Sequence, residues 1–513
     1  MIEINNREIL NKYNVDFLLI NSTNQFLVEY NSLEENSRYK ITNFSGSTGD
    51  ALIAPETIFL FVDGRYHIQA DQEVDHNRIR VIKLQTGQKF IEELTQIVNK
   101  NQTIGLFAKK NSQAQIENFS KFFNIKLIEE DFITPETTPI ELQIEEVTGI
   151  PANEKLAGIQ EIMDENEAIV ITNAEEVSYI FNKRSYSTPF SSKIYGKTII
   201  CKDSINFFAP NEFEKFYEEI NNFQGKIFID KKTINGFDFN AIKEKAVEMK
   251  ENPIRLMKSI KTENEIEHLK TAFKKTDKAL LTIRNFIENN DQLSEFDIAQ
   301  KLEQEFYTNG AKNLSFKPII AKDKNSALAH YSKSSPDEMI TDGSLVLIDC
   351  GAYFEQGLAT DITRVFVKGT PTELQKQVYT TVLKTFLTCF NCQIFETGFD
   401  IDAAARFCIQ KNLIEGFTFN HGLGHGIGIN VHENPPSLSP SELGQARIKD
   451  NMCFTIEPGL YNANFFGIRL ENSCYLENGV IKSFSNMPFE KKLINYDLLN
   501  DQEKLWLEEF EVI

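Results

Sequence analysis

Apolar and polar positions along this chain change period twice, and the changes divide it into three blocks. In the first, residues 1–136, a polar opening segment of helical pattern leads into the apolar run DFLLIN, Asp16 to Asn21. A second strand-like run, TIFLFVDG, closes at Gly64, and a third, RVIKL, begins at Arg80. Strands alternating with helical stretches predict an α/β layer. GSTG at Gly46 to Gly49 lacks the Lys and Ser/Thr that complete a nucleotide loop, so it reads as a tight turn. The Pro- and Thr-rich ITPETTP, Ile133 to Pro139, reads as a linker.

The second block, residues 137–257, echoes the first. LLINSTNQFLVEYN (Leu18 to Asn31) resembles IVITNAEEVSYIFN (Ile169 to Asn182). Each reads as a short apolar strand followed by an amphipathic helix, which predicts two related α/β domains in tandem. The third block, residues 258–513, opens with helices. Thr262 and Glu265 have capping-box spacing, and Ile266, Leu269, Phe273 and Leu280 then share a face. Ile298, Leu302 and Phe306 signal a second helix. Thr370-Pro371 with Glu373 signals a third, with Pro expected at its first position. The strands expected here are Ser344 to Gly351, Ala359 to Val367, Asn451 to Gly459 and Phe466 to Leu476.

Composition adds bounds. A chain of 513 residues exceeds one ordinary core. Its 41% hydrophobic and 25% charged residues are the balance of a soluble globular protein. A net charge of −20 disfavours nucleic acid and anionic membrane as partners. No apolar run approaches the ~20 residues that cross a bilayer. The opening MIEINNREILNKY has no signal-type apolar stretch. Seven scattered cysteines do not form a disulfide framework, and the lone CxxC at Cys389 and Cys392 reads as structural rather than redox-active. The expected setting is the cytoplasm.

The chemistry falls in the third block, on Asp349, Asp361, His425, Glu457 and Glu471. Asp349 ends one apolar strand and Asp361 lies on the next, with a turn-like segment between them, so a hairpin could bring both carboxylates together. His425 stands among glycines 422, 424, 426 and 428, in a run that also holds His421 and His432. These glycines are expected to let backbone approach a ligand closely. Glu457 and Glu471 each close a β-type apolar run, where a buried charge needs a partner. Any one of these residues alone is more often a cap or a surface ion pair, and Arg469 is a ready partner for Glu471. Together, four carboxylates and an imidazole suit two divalent cations sharing a hydroxide, a nucleophile fit for amide hydrolysis.

IDCGAYFEQGLATDITR, HGLGHGIG, TIEPGLY and GIRLEN resemble the metal-binding motifs of the pita-bread metallopeptidases: methionyl aminopeptidases, prolidases and Xaa-Pro aminopeptidases. NFSGSTG and VDGRYHIQA are similar to the N-terminal domain of the Xaa-Pro aminopeptidases. SYIFNKR resembles the middle domain of their three-domain cytosolic type, and KSIKTENEIEHLK the start of the catalytic domain. The resemblance implies two tandem creatinase-N-terminal-like α/β domains followed by a pita-bread catalytic domain of α+β type. It implies that Asp349 binds one metal in bidentate fashion, that Asp361 and Glu471 bridge both, and that His425 and Glu457 each bind one. Glu457 would also carry the proton to the leaving proline nitrogen. His330, His421 and His432 would orient the peptide and stabilise the intermediate, and Arg469 would hold Glu471 or touch substrate. Two Mn(II) ions are implied, with Zn(II) or Co(II) able to substitute, together with peptides bearing proline second and a homodimer.

The chain departs from that pattern at three points. The Asp349–Asp361 interval of twelve positions is one longer than the family norm. HGIGINVHE lacks an insertion found in many three-domain members. Tyr179 stands where relatives often have Trp. The last two leave a prolidase-like dipeptidase as the alternative enzyme. A non-catalytic pita-bread binding protein would be expected to lack the metal residues.

Overall fold

A computed structural model of the chain describes residues 5–85, 87–131, 148–355 and 357–513. ITPETTP lies outside the described residues. The chain divides into two compact units. One comprises Met1–Glu145, Ile150–Pro189 and Lys193–Ile254; the other comprises Glu146–Gly149, Phe190–Ser192 and Arg255–Ile513.

The first unit holds two sheets of matching plan. In one, the strand order is Ile79–Lys83, Ile58–Val62, Asp50–Ile53, Phe17–Ile20, Thr103–Phe107, Asn124–Ile128. In the other it is Ala246–Glu248, Lys226–Ile229, Glu167–Ile171, Lys197–Cys201, Ile205–Phe208. Phe17–Ile20 pairs antiparallel with Asp50–Ile53 and parallel with Thr103–Phe107. Glu167–Ile171 does the same with Lys197–Cys201 and Lys226–Ile229. Each central strand is apolar because helices pack on the sheet. The echo read from the sequence is therefore a repeated topology, with Ile79–Lys83 an extra edge strand in the first copy.

The helical half of the echo is not repeated. After Glu167–Ile171, Asn173 accepts a hydrogen bond from Glu176 N and starts the helix Ala174–Ile180. After Phe17–Ile20, the Asn21 and Asn24 side chains instead accept from Thr23 N and Phe26 N, and Leu27 adopts a φ of 57°. Asn side chains bonding two residues onward compete with the helix and turn the chain.

In the second unit, a capping box of Thr262 and Glu265 begins the helix Glu263–Asn289. Ile298, Leu302 and Phe306 of helix Glu295–Thr308 are fully buried. Each such side chain contributes about 1.5–3 kcal/mol. The third helix runs Glu373–Phe390, but Thr372 is its N-cap, with Gln375 closing the capping box. Pro371 therefore precedes the helix instead of opening it, because a threonine hydroxyl satisfies a free N–H that Pro cannot. Cys392 lies past the end of this helix, so it does not share a helix face with the buried Cys389. Among the described residues no helix is long and apolar enough to cross a membrane.

Two antiparallel sheets carry the site. One orders Ile319–Lys322, Leu345–Cys350, Ile362–Val367; the other orders Glu433–Leu438, Gly424–Gly426, Cys453–Ile456, Asn472–Glu477, Val480–Ser483. A separate pair joins Gly459–Tyr461 to Gly467–Arg469. The ladder from Leu345↔Val367 to Cys350↔Ile362 runs without a shift. The extra position between Asp349 and Asp361 is thus taken up beyond it.

Candidate metal centre

The four carboxylates lie at or next to strand ends that the two sheets bring together, and His425 is the middle residue of Gly424–Gly426. Asp349 pairs with Thr363 across the first ladder, and Asp361 immediately precedes Ile362–Val367. Glu457 follows Cys453–Ile456, and Glu471 precedes Asn472–Glu477. Ile456 pairs with Asn472, so the two glutamates leave the ladder side by side. Glu457 N donates to Leu423 O at 2.8 Å, and Glu471 N to Thr363 O at 3.2 Å. The second bond ties the two sheets at the site.

His425 presents Nε2 to the carboxylates, 3.6 Å from Asp361 Oδ2 and 3.5 Å from Glu457 Oε1. Its Nδ1 lies 3.0 Å from Gly426 O. An N–H there donates to the carbonyl and leaves the Nε2 lone pair for a metal. Asp361, His425 and Glu471 each offer one ligand atom within 4.8 Å of the others. The glycines around His425 serve strand packing, where ligand approach was expected. A Cβ on Gly424 would sit 2.0 Å from Thr455 O, and one on Gly426 2.2 Å from Glu433 O.

The electrostatics are those of an anionic cluster short of positive charge. Burial pushes the Asp361 carboxyl well above its usual range, and Glu471, Asp349 and Glu457 push it further. Burial, Glu457 and Asp349 do the same to Glu471. Arg469 faces the group: burial opposes its charge, but Tyr461, Asp349, Glu457 and Glu471 hold it firmly protonated. One guanidinium does not balance four carboxylates. Asp349 Oδ1 and Asp361 Oδ1 are buried without a hydrogen-bond partner among the described residues. Orphaned carboxylate oxygens beside an imidazole nitrogen fit hard or borderline divalent cations.

A polar frame surrounds the cluster. Arg469 Nη2 donates to Asp349 Oδ2 at 2.6 Å, Nη1 to Tyr461 OH at 2.8 Å and Nε to Thr363 Oγ1 at 3.1 Å. Thr363 Oγ1 donates to Glu471 Oε2 at 2.7 Å. Arg469 thus holds Asp349 directly and Glu471 through Thr363. Arg364, fully buried, donates to Glu471 O, Asn472 Oδ1 and Met487 O. Thr363, Arg364 and Tyr461 were not singled out from sequence. Strand alternation was the available signal, since Thr363 stands two positions after Asp361 and shares its face.

The expected substrate histidines are placed differently from one another. The His432 ring lies 4.3 Å from that of His425, centroid to centroid. His421 Nε2 is 2.9 Å from Tyr461 OH, which joins it to the Arg469 frame. His330 is half-buried on the loop after the 3-10 turn Asp323–Ala327.

Comparison with known proteins agrees with this plan. Residues 267–478 match the family model for metallopeptidase family M24, and residues 5–129 and 131–265 each match a Creatinase/Prolidase N-terminal domain. The chain is 28% identical to Xaa-Pro aminopeptidase 1 of Dictyostelium discoideum, over 93% of this chain and 86% of that protein. An X-prolyl aminopeptidase from Caenorhabditis elegans, described as cytosolic with a di-nuclear active site, shares the fold. It superposes at a TM-score of 0.88 and 21% identity over 96% of this chain and 90% of its own. Prolidase from Pyrococcus horikoshii gives a TM-score of 0.56 at 29% identity, covering 67% of this chain and all of its own. The chain thus carries a region that matches the metallopeptidase family M24 model, preceded by two regions that match creatinase/prolidase N-terminal domains.

Proposed function

We propose that this protein is an aminopeptidase that removes the N-terminal residue from peptides with proline second, using two divalent cations. The observation that carries the reading is the approach of Asp361 and Glu457 to His425 Nε2, with Glu471 in the same cluster and buried oxygens of Asp349 and Asp361 left unpaired. Asp349, Asp361, His425, Glu457 and Glu471 would together hold the two cations. Mn(II) suits this oxygen-rich set, with Zn(II) or Co(II) as substitutes. Such ions supply an activated water at neutral pH and positive charge for the developing oxyanion.

The chain's own groups have distinct tasks. Glu457 is the most open of the three carboxylates paired here, its side chain 18% exposed against 12% for Asp349 and 6% for Asp361. That makes it the one able to pass a proton to the leaving proline nitrogen. His432, beside His425, together with His421 and His330, would orient the peptide. Arg469 keeps Asp349 aimed through its hydrogen bond to Oδ2. We assign the three domains to residues 1–136, 137–257 and 258–513, and place the protein in the cytoplasm as a homodimer.

Hydrolysis of Arg-Pro-Pro and of Arg-Pro by metal-stripped protein, with and without Mn(II), tests the reading. Mn-dependent release of Arg from the tripeptide is expected. Cleavage of the dipeptide alone would make the protein a prolidase. Metal binding without cleavage of either would leave the centre and discard the substrate. Absence of metal binding would favour a binding protein.

A further inference from the structure

We infer that Glu295 is a positioning residue for His330, its buried carboxylate clamping the loop that carries the histidine from both ends. The inference rests on the reading of His330 as a substrate-orienting group.

Glu295 opens the helix Glu295–Thr308 and is fully buried. Its side chain is not needed to cap that helix. Ser294 and Asp297 form a complete capping box, and Glu295 N and Phe296 N donate to Glu338 O and Ser335 O. The carboxylate turns instead to the segment 322–335. Oε1 accepts from Lys322 N at 2.6 Å and Asn325 Nδ2 at 2.9 Å. Oε2 accepts from Tyr331 OH at 2.7 Å and Ser335 N at 3.1 Å. Four donors from one loop meet one carboxylate, and Tyr331 is the neighbour of His330. Burial pushes this carboxyl up while the four donors pull it down. A buried anion satisfied by neutral donors alone is costly unless every bond is made, so the loop is held in a single geometry.

The other side of the loop is fixed to the metal-bearing strands. Ser326 Oγ donates to Gly467 O and accepts from Gly467 N, both at 2.8 Å, at the start of the strand that carries Arg469. A Cβ on Gly467 would meet Ser326 O at 2.2 Å, so this contact requires glycine. Asp323 Oδ1 accepts from Leu345 N at 2.8 Å, on the strand that ends near Asp349. The position of His330 relative to the metal centre is therefore set by Glu295 on one flank and by Gly467 and Leu345 on the other.

Glu295→Gln preserves shape but turns an amide donor toward two of the four donors. Tyr331→Phe removes the hydroxyl that meets Glu295 Oε2 beside His330, together with its contacts to Lys333 O and Asn325 Nδ2. Steady-state hydrolysis of Arg-Pro-Pro, per folded molecule, should fall about 100-fold in kcat/KM for Glu295→Gln and about 10-fold for Tyr331→Phe. In a His330→Ala background both factors should shrink to within about twofold, because a positioning residue has nothing left to position. Equal losses with and without His330, or no loss in either variant, would overturn the inference. If Glu295→Gln does not fold, Tyr331→Phe decides. If the parent enzyme cleaves no such peptide, the substrate reading has failed. The histidine 13Cε1 resonance that disappears in His330→Ala then carries the test. It should shift in Tyr331→Phe while that of His76, on the first unit, stays in place; an unmoved His330 resonance overturns the inference.

Discussion

Two buried carboxylate clusters of the peptidase unit solve the same problem in opposite ways. Glu433 is 1% exposed and faces Lys261 Nζ at 2.5 Å and Lys258 Nζ at 3.5 Å. It also accepts from Ile429 N at 3.0 Å. Burial raises its pKa, but the two lysines and these bonds outweigh burial and hold it ionised below the usual value. At the metal centre four carboxylates meet one arginine, and burial and mutual repulsion hold Asp361 and Glu471 far above theirs. The first cluster carries its counter-charge in its own chain. The second has Arg469 as the one cationic side chain bonded to its carboxylates among the described residues, and the proposed cations would complete it. Charge balance, rather than burial or residue type, separates a structural carboxylate from a ligand.

Five experiments break or sharpen that contrast. Asp361→Ala should lower kcat/KM by at least about 10³-fold, the upper end of what losing one oxyanion-stabilising group costs. Retained metal-dependent hydrolysis would show that the bridging role lies elsewhere. Glu433→Gln should leave metal content unchanged and destabilise the protein by about 3–5 kcal/mol in denaturant unfolding, since two buried lysines lose their partner. A neutral result would mean the lysines are balanced by other groups.

Stripping divalent cations should lower the unfolding temperature of the parent more than that of Asp361→Ala. A ligand at 100 times its Kd contributes about 2.7 kcal/mol. The pH dependence is distinct at the lysine cluster. A depressed folded pKa stabilises above the unfolded carboxylate range and is lost as pH falls through the folded value, here below 4.5. The parent should therefore lose its advantage over Glu433→Gln in that acid window, read from unfolding midpoints across pH. Thr363→Val should have the smallest effect. It should weaken metal binding about tenfold by releasing Glu471, with about 1 kcal/mol of stability lost.

The sequence pointed to the candidate metal centre because residue type and strand ends are local properties. Asp349, Asp361, Glu457 and Glu471 each close or open an apolar run, and β-pairing then brings those ends together. The repeated α/β plan was visible in its first strand. Its second half was not, because the Asn21 and Asn24 turns override a pattern that reads as helical. The glycines near His425 were legible as close approaches, but the partner turned out to be Thr455 and Glu433 backbone, which only the folded register reveals. The clamp at Glu295 and the frame of Arg469, Thr363 and Tyr461 join residues up to a hundred positions and more apart, such as Thr363 and Glu471. No local pattern announces such pairs.

The most direct test of the central claim is metal stoichiometry, measured by elemental analysis after dialysis of stripped protein against Mn(II). The account predicts two ions per chain in the parent, fewer in Asp361→Ala, and two in Glu433→Gln. A chain that binds none, or binds equally after Asp361→Ala, would show that the unpaired carboxylates are not a dinuclear centre.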